Sequence, residues 1–322
     1  MKTLEFIKEM RDRMLREGIP VVPQTGDGPF FIEKDFAMIR DYIVDEQYQW
    51  ICKAFGLIES EQLRKMFRDV TCGGGKEWKE INQLNSSALL SFLCFHAVGI
   101  GGRTIKIDGT AYNKVEFEFK SPLRGSSSPS WMDVVLLNEN DKKALFLESK
   151  FTEYIKQTVR PLTISSYYNQ RYEEVFGITN IDLGDDNRTH FEGNSWKADR
   201  PVYLEGVKQM ICHFLGIIDQ VKNGIAPVEN DNNKYKDDCW SEIKDYEEIV
   251  LGEIVYDFKD GVATSYGNTY RALSSLLNKY CKSCGVEKKF AVRKDLLTYQ
   301  KVFEANAGLL TDNVGKFYGL KS

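Results

Sequence analysis

No stretch of this chain is apolar for as long as a membrane span requires, so no function within a bilayer is expected of it. Its start, MKTLEFIKEMRDRMLREG, sets Leu4, Ile7 and Met10 at helical spacing but lacks the apolar run of a signal peptide, and a cytoplasmic protein is expected. A disulfide framework is missing too: the seven cysteines are an odd, scattered set in a long chain. Cys281-Lys-Ser-Cys284 is the only CxxC pair, and a structural zinc would need two more ligands than it offers, so these read as reduced thiols on a helix. There is no phosphate loop. Cys72-Gly-Gly-Gly-Lys76 lacks the GxxxxGK[ST] spacing, and Glu77 stands where the metal-binding hydroxyl belongs. No Ser/His/Asp or Cys/His pattern has a recognisable local signature, and there are no internal repeats. Nor is there an excess of positive charge: the formal net charge is −4, which argues against tight non-specific binding to nucleic acid.

What is present is an ordinary globular composition, 42% hydrophobic and 28% charged, over 322 residues, enough for one large domain or two modest ones. The charge is segregated. Residues 142–171 carry six Lys/Arg against two acids, whereas residues 228–248 carry eight acids against three lysines. The basic stretch also holds Tyr154, Tyr167 and Tyr168, rings suited to stacking on bases.

Residues 1–70 read as a helical extension: a helix to about Glu17, a loop around TGDGP, a helix over Asp35–Phe55 and another after Ser60. Trp50 and Phe55 read as core. A helical stripe of Trp78, Ile81, Ala88, Phe92 and Phe95 closes at Gly99. The period then becomes two: Val115, Phe117 and Phe119 form an apolar face, and Glu116, Glu118 and Lys120 a charged one. Strands at 131–138 and 143–151 follow, joined by a turn at Asn138–Asp141. Residues 155–200 read as a long irregular insertion, GVKQMICHFLGIIDQVKNG as a helix, EEIVLGEIVYDF as a fourth strand, and the region of Tyr270–Lys282 as a further helix. Residues 71–322 are thus expected to form an α/β domain with a mixed central sheet and a core of about 77–260.

The two central strands carry the chemistry. Asp133 is a lone acid in one, and the other ends in Glu148-Ser149-Lys150. Charge in an apolar strand is costly unless it is paired or holds a metal. Asp133 and Glu148 offer hard oxygen ligands suited to Mg²⁺, with the Ser149 carbonyl as a third. Glu148 and Lys150 are two apart and share a face, so Lys150 falls beside a Glu148-bound metal, where it orients the attacking water or neutralises the phosphate. This set suits metal-assisted phosphodiester hydrolysis.

An acid at the head of one strand, a hairpin, Glu-x-Lys on the next strand, then a helix and another strand resembles the PD-(D/E)xK nuclease superfamily, although Met132 rather than proline precedes Asp133. The resemblance implies a restriction-endonuclease-like αβββαβ core, Asp133 and Glu148 as metal ligands, Lys150 as the catalytic lysine, and Mg²⁺ (with Mn²⁺ as substitute) as cofactor. It further implies a nucleic-acid substrate, DNA before RNA, a role in bacterial defence or repair, and a homodimer as an accessible state. On the following helix, Gln209 and His213 lie four apart and share a face, in reach of substrate or simply solvated. Glu80 and Glu116 are further acids considered as ligands. The competing readings are a nuclease-fold module that binds nucleic acid or a protein partner without turnover, and a plain structural ion pair at Glu148 and Lys150.

Overall fold

The computed structural model describes residues 40–72, 81, 83, 85–121, 123, 129–155, 157–164, 170–173, 181–223, 245–259 and 261–320, together with the isolated helical positions 9, 12 and 16. Tyr167, Tyr168, Trp78 and Glu80 lie outside the described residues.

After the isolated helical positions come α1 (Arg40–Phe55) and α2 (Glu61–Thr71), the second opened by Ser60, whose hydroxyl accepts from the Leu63 amide. Helix α3 is Ser87–Phe95, opened in the same way by Ser86. Of the predicted helical stripe, Ala88, Phe92 and Phe95 lie in α3, whose start the Ser86 cap fixes, and Ile81 lies in a turn before it. A small hairpin of β1 (Ile105–Ile107) and β2 (Thr110–Tyr112) leads into β3 (Lys114–Ser121), β4 (Ser130–Asn138) and β5 (Lys143–Lys150). The 155–200 insertion is more ordered than expected. Strands β6 (Leu162–Thr163), β7 (Thr189–Glu192) and β8 (Ser195–Ala198) form their own antiparallel sheet in the order β6–β8–β7. After it come α4 (Leu204–Asn223), β9 (Glu248–Val255), α5 (Val262–Ser283), β10 (Phe290–Val292), β11 (Leu297–Thr298), α6 (Tyr299–Glu304) and α7 (Asp312–Tyr318).

The central sheet is mixed, in the order β10–β9–β5–β4–β3, with β11 also on β9. The pairs β3/β4 and β4/β5 are antiparallel; β5/β9, β9/β10 and β9/β11 are parallel. A parallel neighbour cannot be reached by a tight turn, and α4 lies within the connection from β5 to β9. The fold is thus α/β, with helices on both sheet faces. Val115, Phe117, Val134, Leu136, Leu145 and Leu147 pack on one side with α1, α2, α3, α6 and α7. Met132, Val135, Leu137, Ala144 and Phe146 pack on the other with α4, α5 and the insertion's Trp196. Each such aliphatic or aromatic side chain contributes about 1.5–3 kcal/mol by leaving water.

The β3–β4 pair departs from strict alternation, and it does so at the candidate acid. The register runs through Phe117↔Val134 and resumes at Phe119↔Met132, skipping Glu118 and Asp133. Glu118 has φ 50°, a left-handed conformation that costs a non-glycine residue about 1–2 kcal/mol. Across this break the faces exchange: Phe117 joins one core and Phe119 packs against the other. The predicted common face of Val115, Phe117 and Phe119 is therefore corrected, because a period of two holds only while the pleat is regular.

Candidate active site

The site forms where β4 and β5 part. Their ladder runs from Asn138↔Lys143 to Val134↔Leu147 and stops short of Asp133 and Glu148. The Asp133 carboxylate reaches across the gap, its Oδ2 accepting from the Ser149 amide at 2.6 Å. Ser149 turns its hydroxyl to the opposite face, where it lies 2.8 Å from the Tyr299 hydroxyl on α6.

Glu148 and Lys150 share the face covered by α4, as their spacing predicted, and are only 3% and 4% exposed. The Lys150 ammonium donates to Glu148 Oε1 and to Gln209 Oε1 at 2.8 Å. Glu148 Oε2 faces His213 Nε2 at 2.8 Å, and the Ser130 hydroxyl completes the chain at Nδ1. Gln209 and His213 are thus not on a solvated face: His213 is 3% exposed and both meet the central charges. A glycine permits this. A Cβ on Gly216 would stand 2.5 Å from Ser121 Oγ and 3.1 Å from its Cβ, so a larger residue there would force Ser121 or α4 to shift.

Electrostatics separates the acids. Burial alone would raise Glu148, but Lys150 and His213 outweigh it and hold the carboxyl down at about 2. Burial and then the nearby Glu148 charge push Asp133 well above the usual carboxylate range, against Lys150 and the Ser149 amide. Lys150 is opposed by its own burial but is held protonated by Glu148.

A third acid belongs here, one that no sequence motif singled out. Glu253 on β9 stands in register with Glu148 and is 0% exposed. The Tyr266 hydroxyl lies 2.9 and 3.0 Å from its two oxygens. Burial lifts Glu253 to about 8, with Lys150 and Tyr266 pulling down and Glu148 pushing up. The signal was available, since Glu253 is a lone acid inside an apolar strand, the same criterion that singled out Asp133. Ser130 carried no comparable signal, being 83 residues from its partner His213.

Other candidates fall elsewhere. Glu116 pairs with Lys114 at 3.0 Å, a partly exposed contact that makes it a strand-face acid. Tyr154 is fully buried with its hydroxyl donating to the Tyr256 carbonyl at 2.6 Å, so it is core rather than a stacking platform. His96 is a buried core histidine bonded to the Phe92 and Leu93 carbonyls, and Cys281 and Cys284 are free thiols at the end of α5.

The donor set is chemically compatible with a hard divalent cation. Among the described residues no three His, Cys, Asp or Glu side chains converge as a ready-made cage. Mg²⁺, however, commonly binds through one or two carboxylates and keeps several waters. Each Glu148 oxygen accepts one hydrogen bond and retains a lone pair, and a cation would relieve the crowding of Asp133 against Glu148. Among the described residues no helix is long and apolar enough to cross a membrane. Comparison of the chain with family models, curated proteins and solved structures finds no match.

Proposed function

We propose that this protein is a Mg²⁺-dependent nuclease of the restriction-endonuclease-like kind, hydrolysing phosphodiester bonds in nucleic acid, DNA first. The observation that carries this reading is the convergence of Asp133, Glu148 and Lys150 from adjacent strands at the point where those strands part. Two buried carboxylates and a lysine are costly to assemble without a task, and the order of helix and strands around them agrees with the family resemblance. Asp133 and Glu148 would hold the cation. When bound, it supplies neutralisation of the phosphate and activation of water. Lys150, kept in its charged form, lies where it orients water or meets the phosphate's negative charge, and Gln209 steadies its ammonium from α4.

A second reading rests on a specific contact pattern. Lys150 and His213 already engage both Glu148 oxygens, and the cluster is nearly closed to solvent. A module that binds nucleic acid without turnover would keep such a self-satisfied ion cluster. The discriminating experiment is cleavage of linear and supercoiled duplex DNA, single-stranded DNA and RNA with Mg²⁺ or Mn²⁺. Wild type is run beside Lys150→Ala and Glu148→Gln, each shown to be folded by circular dichroism. The nuclease reading expects metal-dependent cutting that falls at least about 10²-fold in either variant. Equal inertness of all three proteins would hand the site to the binding-module reading.

A further inference from the structure

We propose that His213 is a positioning residue for Glu148, with Ser130 fixing its ring; the inference rests on the metal-dependent reading above. Past Val134↔Leu147 no ladder pair ties β4 to β5, and Asp133 and Glu148 stand on the two ends that part there. The chain Ser130–His213–Glu148 crosses that gap. It starts on β4 three residues before Asp133, passes through α4, and ends on the β5 acid. Every link is buried, with Ser130 at 6% and His213 at 3% exposure.

The direction of the chain follows from its end. An ionised carboxylate only accepts, so His213 Nε2 carries the hydrogen in the 2.8 Å contact, and the rotatable Ser130 hydroxyl meets Nδ1. Lys150 approaches the other oxygen from the strand side. Two donors from different elements fix the carboxylate plane of a side chain that would otherwise sample several rotamers. One lone pair on each oxygen then keeps a set direction. Outer partners of metal-binding groups act in this way, and their loss typically weakens binding about 10–100-fold.

The test is Mn²⁺ binding to the full chain, followed by calorimetry and by the electron paramagnetic resonance of free Mn²⁺, without substrate. His213→Ala should bind about 10–100-fold more weakly than wild type. His213→Gln, whose amide can still donate to Glu148, should recover most of that loss, and Ser130→Ala should show a smaller one. A folded His213→Ala with wild-type affinity overturns the proposal, as does a His213→Gln no better than His213→Ala. If His213→Ala does not fold, wild-type affinity in Ser130→Ala overturns the chain as drawn. Wild type that takes up no Mn²⁺ overturns the metal-dependent reading itself, an outcome distinct from wild-type binding that His213 does not influence.

Discussion

The ends of β5 and β9 are parallel neighbours that place one acid each at the same level, Glu148↔Glu253, both buried. Their chemistry is opposite. Glu148 is held at about 2 by Lys150 and His213, against its burial. Glu253 has a tyrosine hydroxyl as its nearest partner, and burial dominates, lifting it to about 8. Burial is common to both, so what decides which acid is charged is the partner that the next element delivers. On β5 those partners come from position 150 of the same strand and from α4. On β9 the partner comes from α5. A charged β5 end beside a largely protonated β9 end is an arrangement in which one acid attracts a cation and the other adds little repulsion.

The contrast can be broken from the β5 side with the largest effect. Lys150→Ala leaves Glu148 buried with half its compensation, and a loss of about 3–5 kcal/mol is expected in urea unfolding at pH 7. Removing both charges together should do the reverse. In Glu148→Gln/Lys150→Met the amide still accepts from His213, no buried charge remains at the pair, and Asp133 loses its like-charged neighbour. A gain of about 1–4 kcal/mol is expected, with a higher melting temperature and no metal-dependent cleavage. A double variant less stable than wild type would mean that the ion cluster is itself a source of stability.

The β9 side sharpens the comparison through pH. Glu253 has an ordinary value of 4.5 and a folded value of about 8, so between those limits the folded state keeps a proton that the unfolded chain has released. Its contribution therefore lowers stability as pH rises through that window. Glu253→Gln should flatten that slope, gaining more at pH 8 than at pH 5. Glu148 has the opposite sign: its contribution is present above 4.5 and is lost as pH falls through about 2. Wild type and Glu253→Gln with parallel stability–pH curves would show that Glu253 is charged like its neighbour. The smallest expected effect is that of Tyr266→Phe, which removes one hydrogen-bond donor for about 1 kcal/mol and moves the Glu253 titration upward. Carbon-detected NMR of the carboxyl reads that movement.

Much of the sheet was legible because buried strands and helices announce themselves by period. The hairpin expected at 131–138 and 143–151 is observed at Ser130–Asn138 and Lys143–Lys150, and the helix and strand that follow fall where their apolar patterns put them. The exchange of faces at Glu118 and Asp133 was not legible, since a left-handed residue within a strand leaves no mark in an alternating sequence. The small sheet of β6, β7 and β8 was missed because strands of two to four residues are too short to show a period.

For the site, the sequence by itself determined that Glu148 and Lys150 share a face and that Gln209 and His213 share another, since both follow from the repeat of one element. That the second pair meets the first was decided only by the tertiary structure. Whether a helix face looks at water or at a strand depends on how closely two elements pack, and here Val207, Met210, Ile211 and Phe214 bury in the core while Gly216 lies against Ser121. Tertiary structure likewise brought Ser130 to His213 and set Glu253 beside Glu148. Contacts between residues about 60 to 100 positions apart depend on sheet order and helix placement, which a local pattern does not encode.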